Sequence, residues 1–519
     1  MTGLEDVRGA LKDLLENLYN GEEHVAGSGS EYGEADRIGG ILESRLGGNI
    51  EVLDVPMISW SLKAVEVEPR PEYAVVAPYV ESGDVEARVY HVEGDPSDYR
   101  AWRSFPQGKI AVTIPPGNPD DLKYVVLQAW EAGAEAVIVG SDRPRKIVST
   151  GSWGYSYTAG APTPIPVVVV DVASARRIAW EGKARIYVES VVREARGVNI
   201  RLRLPGNEAV AVGAHYDRWY GGFQDDILGI AQAAVTAELL NKKGYMVDLL
   251  VFTAEEHGTP GYAGWYWAWG SRWYARQLQA SGLAGEYLAY INYDVAGNTP
   301  LAVSGAPQYT RRVLEGLEKA GVSAFERGFE CPECDSMSLA QAGIPTVSVH
   351  SLWNERVREV YHTPYDTPEN ADLEAAAVAV KAVVEGIVGG PEYSRLEASL
   401  EAILGEGPLI ARNILHTLVA SARAHGWDRV YRWMASRFLK PVLIGDYRYD
   451  YGQDFEAAYF PEVYSIKRMR EAMPHSVIIP GEERLLYQLK PPGRLEDQVL
   501  YTLLDLWERF REELEWLER

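Results

Sequence analysis

The sequence predicts an α/β fold, on three observations. Short apolar runs ending in polar residues alternate with amphipathic stretches through its middle. Its hydrophobic and charged contents, 46% and 24%, are those of ordinary globular chains. At 519 residues it is too long for one hydrophobic core, so several domains are expected.

The elements follow in order. Leu4, Val7, Leu11, Leu15 and Leu18 recur at helical spacing and predict an opening helix. Ser28 and Glu31 have the spacing of a capping box ahead of a second helix, and Glu51 to Val67 reads as extended. A compact α/β module follows. Gly108–Ile114, AEAVIVGS and IPVVVVD are its strands, DLKYVVLQAWEAGA and SARRIAWEG its helices, and Ser149–Pro166 a loop. From Gly197, the strands VNIRLRL, EAVAVGA, DLLVFTA, YLAYINYD, LAVSG and PTVSVH alternate with helices. This pattern predicts a largely parallel sheet covered on both faces. The last part is mainly helical and ends in a stripe of Val499, Leu503, Leu506, Phe510, Leu514 and Leu517, expected to pack within the chain. The domains are thus 1–70, 71–194, 195–390 and 391–519.

The net charge of −23 is spread along the chain and repels phosphate backbones, so no nucleic-acid partner is expected. Acids stand where a secretory signal would carry its basic region, and no apolar run approaches the ~20 residues that cross a bilayer. A cytoplasmic protein without membrane contact is expected. The two cysteines, Cys331 and Cys334, form a lone C-x-x-C that reads as a local disulfide or as two inert thiols.

Acids and histidines gather where strands of the parallel block end: His215 and Asp217, Asp225 and Asp226, Glu255 and Glu256, Asp294, and then His362 and Asp366. Ligands in such folds bind at the carboxyl ends of strands. A pair of metal ions ~3.5–4 Å apart needs several N or O ligands on each ion and a carboxylate reaching both. A further carboxylate must stay off the metals to take a proton from water. Adjacent Glu255 and Glu256 suit this division, and Asp217 and Asp366 are spaced to orient the two imidazoles. His350 is a rival ligand. His257 is expected to line the pocket, as are some of Trp219, Tyr220, Trp265, Trp267 and Trp269. Arg327 and Arg356 are expected at the surface or in ion pairs.

The series HYD, DD, EE, YD and YHTPYDT resembles the zinc exopeptidases that include aminopeptidase Y, bacterial leucine aminopeptidases and glutamate carboxypeptidase II. The resemblance implies a phosphorylase/hydrolase-like α/β/α peptidase domain with a mixed, mostly parallel sheet. It also implies a protease-associated-like insertion at 71–194 and a helical C-terminal domain that could form a homodimer. Two zinc ions per chain are implied, with cobalt or manganese as possible substitutes. His215 and Asp294 would hold one ion, Glu256 and His362 the other, and Asp225 would bridge them through a segment with a cis peptide. Glu255 would be the general base, and Tyr361 would stabilise the tetrahedral intermediate. The expected reaction is hydrolysis of terminal bonds of a peptide substrate, with an aminopeptidase favoured. The alternatives are a carboxypeptidase, a single-zinc glutaminyl-cyclase-like acyl transfer, or a non-catalytic binding protein like the transferrin receptor.

Overall fold

In a computed structural model of the chain, residues 3–80, 82–94, 96, 99–114, 129–146, 165–259, 267–352, 354–444, 454–463, 477–478 and 495–518 are described. The expected loop Ser149–Pro166 lies almost wholly outside these residues, as does most of the helix expected from Asp121.

Two helices open the chain, α1 (Leu4–Leu18) and α2 (Glu31–Leu46). The capping box does not form. Ser30 stands at the N-cap of α2, and Glu31 turns inward, 1% exposed, because the core offers it five donors. Gly27 N–H, Val198 N–H and the hydroxyls of Tyr216 and Thr253 donate to its carboxylate at 2.7–2.9 Å, and His24 Nε2 lies 3.0 Å away.

The smaller module comprises strands β2 (Ala74–Val76), β3 (Gly83–His91), β4 (Lys109–Thr113), β5 (Ala134–Ser141) and β6 (Val167–Asp171), with helix α3 (Val172–Glu181). It is joined to the rest by a ribbon of two long antiparallel strands, β1 (Asn49–Glu68) and β7 (Lys183–Leu204). The first half of β7 pairs with β3 and the second half with β9 (Met246–Phe252), so the chain crosses residue 194 inside one unbroken strand.

The larger module adds β8 (Ala209–His215), β10 (Tyr287–Asp294), β11 (Leu301–Gly305), β12 (Ala324–Glu326) and β13 (Thr346–His350). Its strand order is β12-β11-β13-β10-β8-β9-β7, and the centre β13-β10-β8-β9 is parallel. The strands are buried apolar runs because helices cover the sheet: α4 (Leu228–Asn241), α5 (Trp269–Ser281), α6 (Pro307–Lys319), α7 (Ser336–Gln341), α8 (Glu355–Val360) and α9 (Leu373–Val388).

Beyond them come α10 (Tyr393–Leu400), α11 (Leu409–His425), α12 (Trp427–Phe438) and α13 (Leu495–Glu518). Leu503, Leu506, Phe510 and Leu517 of α13 are buried in the chain's own core, with Phe510 against Trp433 and Phe438. Each such burial is worth about 1.5–3 kcal/mol. This region, expected to be mainly helical, also holds a three-stranded antiparallel sheet, β15 (Asp454–Tyr459), β14 (Leu439–Ile444) and β16 (Val477–Ile478). Among the described residues no helix is long and apolar enough to cross a membrane.

Candidate metal centre

Neighbouring parallel strands release their carboxyl ends at one level. His215 ends β8, in register with Phe252 of β9, and Asp294 ends β10, in register with His350 of β13. Two residues past β9, the chain turns at Ala254 to present Glu255 and Glu256. Three non-glycine residues adopt left-handed backbone here: Ala254 directly before Glu255, Val295 directly after Asp294, and His362 itself. Each costs about 1–2 kcal/mol, which the surrounding fold must hold.

Two groups of donors converge. Ligand atoms of His215, Asp225 and Asp294 lie within 4.8 Å of one another, and so do those of Asp225, Glu256 and His362. Asp225 belongs to both. Its Oδ1 is 3.2 Å from His215 Nε2 and its Oδ2 is 3.5 Å from His362 Nε2, while His362 Nε2 is 3.0 Å from Glu256 Oε1. The Asp225–Asp226 peptide is cis.

The donor set suits cations on two grounds. His215 Nε2 and Asp225 Oδ1 are buried without a hydrogen-bond partner, which is costly for polar atoms unless something else satisfies them. The carboxylates also crowd one another. Burial, against the pull of His215, raises Glu255 and Asp294 well above the usual carboxylate range, and the neighbouring acids add to the rise. Burial opposes the charge on His362 too, but Glu256 and Asp225 prevail and lift it to about 10. A pair of divalent ions would relieve that surplus of negative charge.

The supporting residues differ from expectation. Asp217 does not spend its carboxylate on His215. His215 Nδ1 is 2.9 Å from the Asp217 backbone oxygen and 3.7 Å from its carboxylate. That carboxylate instead accepts from the N–H groups of Glu255 and His257, each at 3.0 Å, and faces His257 Nδ1 at 3.0 Å. It therefore fixes the turn carrying both glutamates. Asp366 likewise spends its carboxylate on backbone, accepting from the N–H groups of Gln224 (3.0 Å) and Asp225 (3.2 Å) and holding the segment that carries Asp225.

Tyr361 stacks on His362 at 3.5 Å, and its hydroxyl donates to Glu256 Oε1 at 3.1 Å. Trp219 Nε1 donates to Glu256 Oε2 at 2.8 Å, a role no spacing in the sequence announces. His257 is buried against the Trp219 ring at 3.8 Å. Asp335, also missed, is a buried carboxylate whose charge acts on Glu255 and Asp294.

His350 belongs to neither donor group; it lies in β13, 3.4 Å from Ser304 Oγ, and burial holds its pKa well below the usual value. Trp269 donates to Pro56 O at 2.7 Å, while Tyr220 and Trp267 pack against the smaller module's core. Trp265 lies outside the described residues. Arg327 faces Glu333 at 3.5 Å, and Arg356 is exposed. Cys331 and Cys334 form a disulfide.

Solved structures similar to this chain include three bacterial enzymes. The zinc aminopeptidase BSAP of Bacillus subtilis superposes with a TM-score of 0.56 at 19% identity, over 75% of this chain and 95% of that one. A peptidase M28 precursor of Shewanella amazonensis SB2B gives 0.56 at 17%, over 75% and 98%. An aminopeptidase of Aneurinibacillus sp. strain AM-1 gives 0.51 at 18%, over 75% and 94%. At such identity the likeness speaks for the fold. A search of curated proteins gives no match. The match that speaks for family spans residues 199–387, described as Peptidase family M28. Every member of the two donor groups falls inside that span, so the segment that matches the model of peptidase family M28 is the one that carries the candidate metal centre.

Proposed function

We propose that the chain is a dinuclear zinc exopeptidase that cleaves the amino-terminal residue from peptides. One observation carries this reading: two three-residue donor groups share Asp225, and Glu255 stands beside them as a member of neither. His215 and Asp294 would hold one zinc, Glu256 and His362 the other, with Asp225 reaching both; cobalt or manganese would suit the same donors. When bound, the pair would acidify a water and polarise the peptide carbonyl.

The chain's own residues supply the remaining steps. Glu255 takes a proton from the attacking water and delivers it to the nitrogen as the C–N bond breaks. Burial and the neighbouring acids raise its affinity for a proton above that of an ordinary carboxylate. Asp217 holds the Glu255 backbone in place, and Trp219 and Tyr361 aim the two oxygens of Glu256. The Tyr361 hydroxyl is also the nearby donor proposed to steady the oxyanion.

The choice of the amino end follows the aminopeptidases among the similar solved structures, and the cations near the site do not favour a substrate carboxylate. Two cations at its edge are committed elsewhere: Arg145 to backbone carbonyls, and Lys146 to Glu23 at 3.3 Å. The test is a panel of short peptides, free or blocked at each end, assayed with and without chelator. Chelator-sensitive hydrolysis that requires a free amine is expected. Hydrolysis that requires a free carboxyl end instead would make the enzyme a carboxypeptidase.

A further inference from the structure

Helix α8 ends directly before Tyr361 and His362, and a short helix leaves its last carbonyls without internal partners. Here every one is accounted for. Val357 O accepts from Tyr361 N–H, and Val360 O accepts from Thr363 through both N–H and hydroxyl. The others are met from the smaller module, by the stretch that follows β5. Arg145 Nη2 donates to Arg358 O (2.9 Å) and Glu359 O (3.0 Å), and its Nη1 donates to Tyr361 O (2.5 Å). Arg143 Nη1 donates to Glu359 O at 2.6 Å, and Lys146 N–H donates to His362 O at 3.0 Å. Arg145 is 3% exposed, so its fork is desolvated and its charge sits at the negative end of the helix.

The same stretch reaches the other side of this donor group. Lys146 Nζ lies 5.4 Å from the Trp219 ring, whose indole N–H holds Glu256. The His215–Asp294 side is held from within the larger module, by the Asp217 carbonyl and by pairing of β10 with β13.

We propose that Arg145 of the smaller module is a positioning residue for the half of the centre formed by Glu256 and His362: its guanidinium fixes the left-handed turn that aims Tyr361 and His362. The inference rests on reading His362 as a zinc ligand. A planar guanidinium that donates to three carbonyls has no equivalent in lysine, whose single ammonium meets fewer of them. The smaller module is then part of the metal site, beyond any role in covering substrate.

The experiment measures zinc retention by the full chain in competition with a chromophoric chelator, for the parent, Arg145→Ala and Arg145→Lys, with melting temperature alongside. The parent is expected to hold two zinc ions. Arg145→Ala is expected to weaken one by roughly 10–100-fold, the usual effect of losing a partner that orients a ligand, and to leave the other at parental affinity. Its kcat should fall while KM stays within about twofold. Arg145→Lys, which keeps the buried charge, should fall between and decides the matter if the alanine variant does not fold. Parental affinity for both ions in a folded variant overturns the proposal alone, as does equal weakening of both. A parent that binds no zinc overturns the metal assignment as well.

Discussion

Replacing Glu31 by glutamine tests whether the amino-terminal helices brace the metal centre. The Glu31 carboxylate joins α2 to the ends of β8 and β9. Oε1 accepts from Val198 N–H, Tyr216 OH and Thr253 OH, and Oε2 accepts from Gly27 N–H and faces His24 Nε2. Tyr216 stands between His215 and Asp217, and Thr253 two residues before Glu255. A glutamine oxygen can replace Oε1, but its amide nitrogen must then face the Gly27 N–H, donor to donor. His24 can answer by presenting a lone pair. One hydrogen bond to a charged group is lost, about 1.5–3 kcal/mol, and the three that remain weaken as their acceptor becomes neutral. The sum is roughly 3–5 kcal/mol, a large share of the ~5–15 kcal/mol typical of a folded domain. Thermal unfolding should show a loss on the order of 5 °C for Glu31→Gln, and less for Tyr216→Phe or Thr253→Val. A Glu31→Gln protein melting within about 1 °C of the parent would refute this account of the hub.

Two further outcomes follow from the same contacts. Asp217→Asn offers one oxygen where Glu255 N–H and the His257 donors need two, so kcat/KM should fall by roughly 10–100-fold with a smaller change in melting; unchanged kinetics would deny Asp217 its bracing role. Burial opposes ionisation of Glu34, but Arg37 and Arg218, at 2.7 and 2.8 Å, prevail and hold its pKa at about 2, below its ordinary 4.5. The stability this adds is complete above pH 4.5 and is lost as pH falls towards 2. Denaturant titrations across that range should show a shallower acid slope for Glu34→Gln, and identical slopes would contradict it.

The parallel sheet was legible because its central strands are short apolar runs, several of them followed at once by acids or histidines. Glu255, Asp294 and His215 mark those ends in the sequence as they do in space. The convergence of five distant residues could be read because two adjacent cations need a restricted set of donors. What escaped the sequence is whatever depends on partners distant along the chain. Ser28 and Glu31 have the local spacing of a cap, yet Val198, Tyr216 and Thr253, far along the chain, donate to Glu31 and draw it inward. Asp217 and Asp366 sit at sequence distances that suit the imidazoles, yet backbone N–H groups claim them. Trp219 reaches Glu256 only because the loop after β8 folds against the smaller module's core. The length of β7 also hides from a local pattern, since its two halves pair with strands of different modules.

The central claim is that these side chains gather two metal ions around a shared aspartate and leave one glutamate unbound. Anomalous scattering at the zinc edge from crystals grown with zinc tests it most directly. Two peaks ~3.5–4 Å apart are expected, one beside His215 and Asp294 and one beside Glu256 and His362, with Asp225 between them. A single peak, or a peak coordinated by Glu255, would contradict the account.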